Sequence, residues 1–125
     1  MESLKNSLNW FEIPVDDFER AQKFYSTIYD YEMPSRAMGE TTLGFFLVEQ
    51  GGIGGAIAFG PGYEVSEYGA LIYLNGGENL QLVLDRVEGA GGNVLTPKTL
   101  ITNELGFYAI FKDTEGNKVA LHSMS

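Results

Sequence analysis

Two side chains in this 125-residue chain could move a proton: Glu12, which interrupts an apolar stretch, and His122, the only histidine. A carboxylate on an apolar strand is costly unless it is paired or functional. Glu12 therefore reads as a base or as a hydrogen-bond acceptor for a ligand, the alternatives being a structural ion pair or a water-filled cleft. His122 reads as a general acid or base, because imidazole ordinarily titrates near neutrality; its alternative is a partly exposed residue at a strand end. Trp10, Phe46, Tyr63, Tyr68, Tyr73 and Tyr108 could wall a pocket for a planar ligand. Phe11, Phe18, Phe45, Phe107 and also Tyr73 read as core, whereas Trp10 reads as pocket wall, because Phe11 and Ile13 already fill the helix-facing side of its strand. Arg36 and Lys98 could meet a carboxylate or phosphate, or could be solvated loop charges.

The composition removes other chemistries. With no cysteine there is no disulfide scaffold, thiol catalysis, cysteine-ligated zinc or iron–sulfur cluster. With one histidine no multi-histidine metal site fits within a single chain. Eight basic against 17 acidic side chains leave a formal charge of −9, the wrong sign for nucleic acid or an anionic membrane. No basic region leads into an apolar run, so a cytoplasmic protein with no membrane segment is expected. The paired glycines 51–52 and 54–55 lie in a strand–turn–strand context and do not read as a phosphate loop.

These residues must be positioned by short elements. Leu8 to Val15 alternates as a strand, with Phe11, Ile13 and Val15 on one face and Trp10, Glu12 and Pro14 on the other. Asp16 and Asp17 offer a helix cap, and Glu19 completes a capping-box pattern with Asp16. Phe18, Ala21, Tyr25 and Ile28 form one helical stripe. Strands are then expected at Tyr31–Met33, Thr42–Glu49 and Gly54–Phe59. The second half follows the same plan: a strand at Ala70–Leu74 and a helix carrying Leu80, Val83, Val87 and Ala90, stopped by Gly91 and Gly92. Strands at Asn93–Leu95, Gly106–Phe111 and Lys118–His122 come after it, the last two joined by a turn over Asp113–Asn117. A shift of 62 residues superimposes both helical stripes and brings Leu43-Gly44-Phe45 onto Leu105-Gly106-Phe107. The pattern is that of two β-α-β-β-β units in an α+β fold, module 1 over about 1–62 and module 2 over about 63–125 of a single domain. The connection 60–69 is long for a compact domain and reads as a lid, a swapping hinge or a plain linker.

Trp10-Phe11-Glu12-Ile13-Pro14-Val15-Asp16-Asp17, with Arg20-Ala21 and Phe24-Tyr25, resembles the opening of a vicinal oxygen chelate protein. That superfamily holds the glyoxalases, bleomycin-resistance proteins and extradiol dioxygenases. Phe111 to His122 resembles its closing hairpin. The resemblance implies two pseudo-symmetric βαβββ modules whose curved mixed sheets surround a ligand cavity, with modules paired within a chain or across a homodimer. It also implies metal ligands on the first and last strand of each module. Carried over, those positions hold Trp10, Ala58, Ile72 and Ala120, none of which binds metal. A slip of two residues brings in only Glu12 and His122, fewer than the three ligands usual at a catalytic metal.

The expectation is a metal-independent protein without a cofactor that binds a small apolar or aromatic molecule. Trp10, Ala58, Ile72, Tyr108 and Ala120 would line the cavity, beside Glu12 and His122. The alternatives are a glyoxalase-related lyase or isomerase using Glu12 as base and His122 as acid, with or without a metal shared across a dimer, and a structural or regulatory dimer without a ligand.

Overall fold

The computed structural model describes residues 1–125. In chain order the elements are β1 (Phe11–Pro14), α1 (Phe18–Ile28), β2 (Ser35–Met38), β3 (Thr41–Phe45), β4 (Gly55–Phe59), β5 (Tyr73–Asn75), α2 (Gln81–Leu84), β6 (Asn93–Thr102), β7 (Gly106–Lys112) and β8 (Lys118–Ser123). They form two four-stranded sheets of orders β1-β4-β3-β2 and β5-β8-β7-β6. Each sheet is mixed: β1 runs parallel to β4 and β5 to β8, and the remaining pairs are antiparallel. This is an α+β fold made of two βαβββ units.

Alternation along the strands sets the faces. Ile13, Val15 and Ile57 point to the helix side and join Ala21, Phe24, Tyr25 and Ile28 of α1 in one buried core. Leu74, Ala109, Phe111, Val119 and Leu121 of the second sheet enter the same core. Aromatic contacts bridge the sheets through α1: Phe24 lies 5.8 Å from Phe111, and Tyr25 lies 5.1 Å from Phe46, centroid to centroid.

Several local expectations are corrected. The strand expected at Tyr31–Met33 forms instead at Ser35–Met38. Side chains of α1 take up the Met33 backbone: Ser26 Oγ accepts its N–H, and Gln22 Nε2 donates to its carbonyl. Pro34 has no N–H to give a ladder, though its carbonyl accepts from Phe45 N–H, and paired register begins at Ser35. The cap of α1 is Asp17, which accepts from the Arg20 N–H at 3.1 Å, so Asp16 and Glu19 do not form the capping box. Phe24 is buried on α1 while Phe18 is only partly so, which rotates the expected stripe. The second helix is confined to Gln81–Leu84, and β6 extends from Asn93 to Thr102. Tyr73 is 54% exposed and does not belong to the core.

The repeat is also not of one phase. Pro14 pairs with Ala58 and Asn75 with His122. Correspondingly, Val15 N–H donates to the Ala58 carbonyl and Gly76 N–H to that of His122. The two modules are thus related by 61 residues in the first strand and 64 in the last. Pairing makes His122, not Ala120, the counterpart of Ala58, and Tyr73 the counterpart of Glu12.

The closing turn locks the two units together. Asn117 Nδ2 donates to the Pro14 carbonyl at the end of β1, and Tyr25 donates its hydroxyl to Asp113 Oδ2 at 2.7 Å. Glu115 Oε1 accepts the N–H groups of Asp16 and Asp17, and both its oxygens meet the Arg20 guanidinium. A carboxylate from the far end of the chain thus does at the N-terminus of α1 what a capping-box glutamate would do.

Candidate functional site

A largely apolar hollow lies at the seam of the two sheets. It measures about 510 Å³, within the range of small-molecule sites. Phe11 and Phe46 form its wall on one side, and Ile72 and Leu74 form it on the other, with the exposed Leu8, Leu47, Ile53 and Leu71 around the mouth. The local reason is the edge position of β1 and β5: each leaves apolar side chains unmatched beyond its short ladder. Polar atoms are few. Tyr29, held neutral because burial raises its phenol, spans to the Asn75 carbonyl at 2.7 Å. Asn75 Oδ1 accepts from Gly77 N–H at 2.8 Å, which leaves Nδ2 of the same amide for a visiting acceptor.

Of the expected site residues, Ile72 lines this hollow. Trp10, Glu12 and Ala58 group on the face of the first sheet away from α1. Trp10 Nε1 donates to Glu12 Oε2 at 3.2 Å, and Tyr63 donates its hydroxyl to Glu12 Oε1 at 2.6 Å. That hydrogen bond raises the Tyr63 phenol above its ordinary pKa. Ala58 has no exposed surface; with Leu43 and Ala56 it forms a small buried patch against which Phe45 and Tyr63 pack.

Tyr108, Ala120 and His122 group on the second sheet. Tyr108 and His122 are cross-strand partners, and Ala120, fully buried, faces Tyr73 and Ile110 across its own ladders. His122 Nε2 lies 2.6 Å from the Leu105 carbonyl. A carbonyl only accepts, so Nε2 carries a proton there and Nδ1 is the free ring nitrogen. Glu12 lines a cavity with Ile72 and Lys118, whereas His122 lines a different one with Tyr73 and Asn75. Tyr68 is exposed, and Lys98 is engaged by Asn79 Oδ1 and the Phe107 ring. The mouth residues Leu8, Leu47, Ile53 and Leu71 were not among the sequence candidates. Leu8, Leu47 and Leu71 lie inside the strands expected from alternation but outside the ladders that form, so alternation alone does not place them at a mouth.

The metal implied by the resemblance does not fit the residues at its expected positions. Trp10, Ala58, Ile72 and Ala120 offer no ligand atoms, and no three His, Asp or Glu side chains converge anywhere in the chain.

Comparison with known proteins agrees with the geometry. Residues 8–44 match the family described as bleomycin resistance protein-like N-terminal. A glyoxylase-like domain-containing protein from Didymella fabae is 27% identical, over 94% of each chain. Among solved structures, a mutant of glyoxalase I from Zea mays superimposes with a TM-score of 0.68 at 20% identity, covering 92% of this chain and 45% of the maize chain. A glyoxalase/bleomycin resistance protein/dioxygenase family enzyme from Burkholderia phytofirmans superimposes with a TM-score of 0.66 at 12% identity, covering 94% of this chain and 98% of the other.

Proposed function

We propose that the chain is a member of the vicinal oxygen chelate superfamily and that it binds a small apolar or aromatic molecule without a metal, in the hollow at the seam of its two modules. The observation that carries the reading is the 510 Å³ apolar hollow with Tyr29 and Asn75 at its polar end. Burial of a ligand ring there would contribute about 25 cal/mol per Å² of apolar surface removed from water. The Asn75 amide would fix orientation by donating to a ligand carbonyl or hydroxyl. Exposed Leu8, Leu47 and Leu71 around the mouth give a homodimer an apolar surface to cover. Glu12 and His122 line different cavities within one chain, which gives the lyase or isomerase reading less to build on.

Ligand-observed NMR with indole and naphthalene, together with elemental analysis of the purified protein, tests this. Saturable binding is expected, weakened at least about tenfold by Leu71→Arg at the mouth, which charges the hollow without opening the core. Absence of saturable binding, or indifference to Leu71→Arg, overturns the ligand reading; one metal per chain overturns metal independence.

A further inference from the structure

The segment joining the two sheets, residues 60–69, is held as a strap. Tyr63 N–H donates to the Gly60 carbonyl at 3.2 Å, closing a turn over Pro61 and Gly62. Proline in the second position and a glycine at φ +87° in the third are the marks of a type II turn, which fixes the direction in which Tyr63 leaves it. The Tyr63 ring packs against the patch of Leu43, Ala56 and Ala58, and its hydroxyl donates to Glu12. The far end is tied by a partly exposed ion pair, Glu67 to Lys112 at 2.8 Å. Between strap and sheets lies a further cavity of about 210 Å³, which Glu12 lines together with Ser66, Ile72 and Lys118.

This arrangement has the parts of an aryl site already filled. Two alanines leave a shallow seat, Phe45 and Trp10 stand beside it 6.2 Å apart, and a carboxylate at the rim accepts a hydrogen bond from the phenol. An aliphatic side chain would cover the alanines equally well; a phenol placed on a carboxylate adds a directional, charge-assisted contact. We propose that this seat binds a hydroxylated aromatic molecule, and that Tyr63 is its built-in competitor. The strap closes the site with the chain's own phenol. A free phenol enters by displacing it, donating its O–H to Glu12 and laying its ring on Ala56 and Ala58. The hollow at the seam is a separate place, and its emptiness or occupancy does not bear on this one.

Competition with a tethered group lowers apparent affinity by the fraction of time the site stands open. The probe is p-cresol, the tyrosine side chain as a free molecule, titrated against the full chain and followed by calorimetry and by the fluorescence of Trp10, the single tryptophan. Tyr63→Ala should bind p-cresol at least about tenfold more tightly than the unaltered protein. Toluene, which lacks the hydroxyl, should bind that variant about tenfold more weakly than p-cresol, and Glu12→Leu added to it should erase the difference. Tyr63→Phe keeps the packed ring and loses only the tether, so it should shift p-cresol affinity in the same direction by a smaller factor, and it serves if Tyr63→Ala does not fold. Equal affinity in all three proteins, or no saturable binding to the folded Tyr63 variants, overturns the proposal. Toluene binding as tightly as p-cresol overturns the role of Glu12.

Discussion

Asp113 shows how one side chain organises the join between the modules. It is 4% exposed, and each oxygen accepts twice: Oδ1 from the N–H groups of Glu115 and Asn117, Oδ2 from the Tyr25 hydroxyl and Asn117 Nδ2. A buried carboxylate is tolerable only with its lone pairs satisfied in this way. Tyr25 is fully buried, and burial pushes its phenol far above the ordinary range, so it remains a donor at any working pH. Tyr25→Phe keeps the ring against Phe46 and removes that donor alone. The expected cost is about 1–3 kcal/mol, from an acceptor left under-satisfied, read as a fall in melting temperature of roughly 3–5 °C per kcal/mol. An unchanged melting temperature would mean that Asn117 and solvent replace the phenol. The sequence shows Tyr25 as a core-facing helical residue and Asp113 as a turn former. That they meet across 88 positions is invisible to any local pattern. The same holds for Tyr63, whose turn is legible as Gly-Pro-Gly but whose partner Glu12 is not.

At the level of elements, α2 departs most from its expected length, and the departure has a local cause. Its apolar stripe is satisfied, since Leu80, Val83 and Val87 are buried. The backbone, however, tightens after Leu84: Arg86 N–H bonds to the Val83 carbonyl and Val87 N–H to that of Leu84, the three-residue spacing of a 3₁₀ turn. Leu80, at the N-cap, has no side chain able to cap α2; the Leu80 N–H is taken by Ser123 Oγ and the Gln81 N–H by Asn79 Oδ1. Gly89 follows, lowering helix propensity where a third turn would have formed. Periodicity therefore reports which residues are buried and cannot distinguish a full helix from a short one that winds tighter. Most strands are legible within a few residues for the same reason, since alternation marks the face while ladder ends depend on partners; β2 and the far end of β6 are the exceptions. Gly89 meets no neighbouring atom where a Cβ would sit, and it does not hold a positive φ. Gly89→Ala is accordingly expected to stabilise the fold by about 0.5–1 kcal/mol through the unfolded chain and the longer helix. Thermal denaturation with far-ultraviolet circular dichroism measures both effects, and a lower melting temperature would contradict this account of why α2 stops.

Over the whole molecule, the two sheets share one core, and Glu115 is an ionisable group that ties α1 to the closing turn at their junction. Its side chain has no exposed surface, while its Arg20 partner is half exposed. Burial pushes the Glu115 carboxyl up, but the Arg20 guanidinium, the Asp17 N–H and the Thr114 hydroxyl outweigh it, so the group titrates below the ordinary carboxylate value. A carboxyl depressed on folding contributes stability that is fully present above its unfolded pKa, near 4.5, and is lost as pH falls through the lower folded value. Arg20 stays charged throughout, so the loss follows Glu115 alone. A second effect runs the other way: the formal charge of −9 at pH 7 shrinks as pH approaches the isoelectric point near 4.4, relieving self-repulsion. Global charge should thus favour the fold on mild acidification, and the junction should fail only below about pH 4.5. Glu115→Gln separates the two. It keeps the side-chain carbonyl as an acceptor for the Asp16 and Asp17 amides but ends the ion pair, so the variant should be less stable than the parent at pH 7. The difference should narrow as pH drops below the unfolded carboxylate value, because the parent loses there what the variant never had. Urea melts of both proteins from pH 7 to pH 3 give that difference directly. A gap that stays constant across the range would place the acid-sensitive contact elsewhere and leave Glu115 only a steric part in joining the modules.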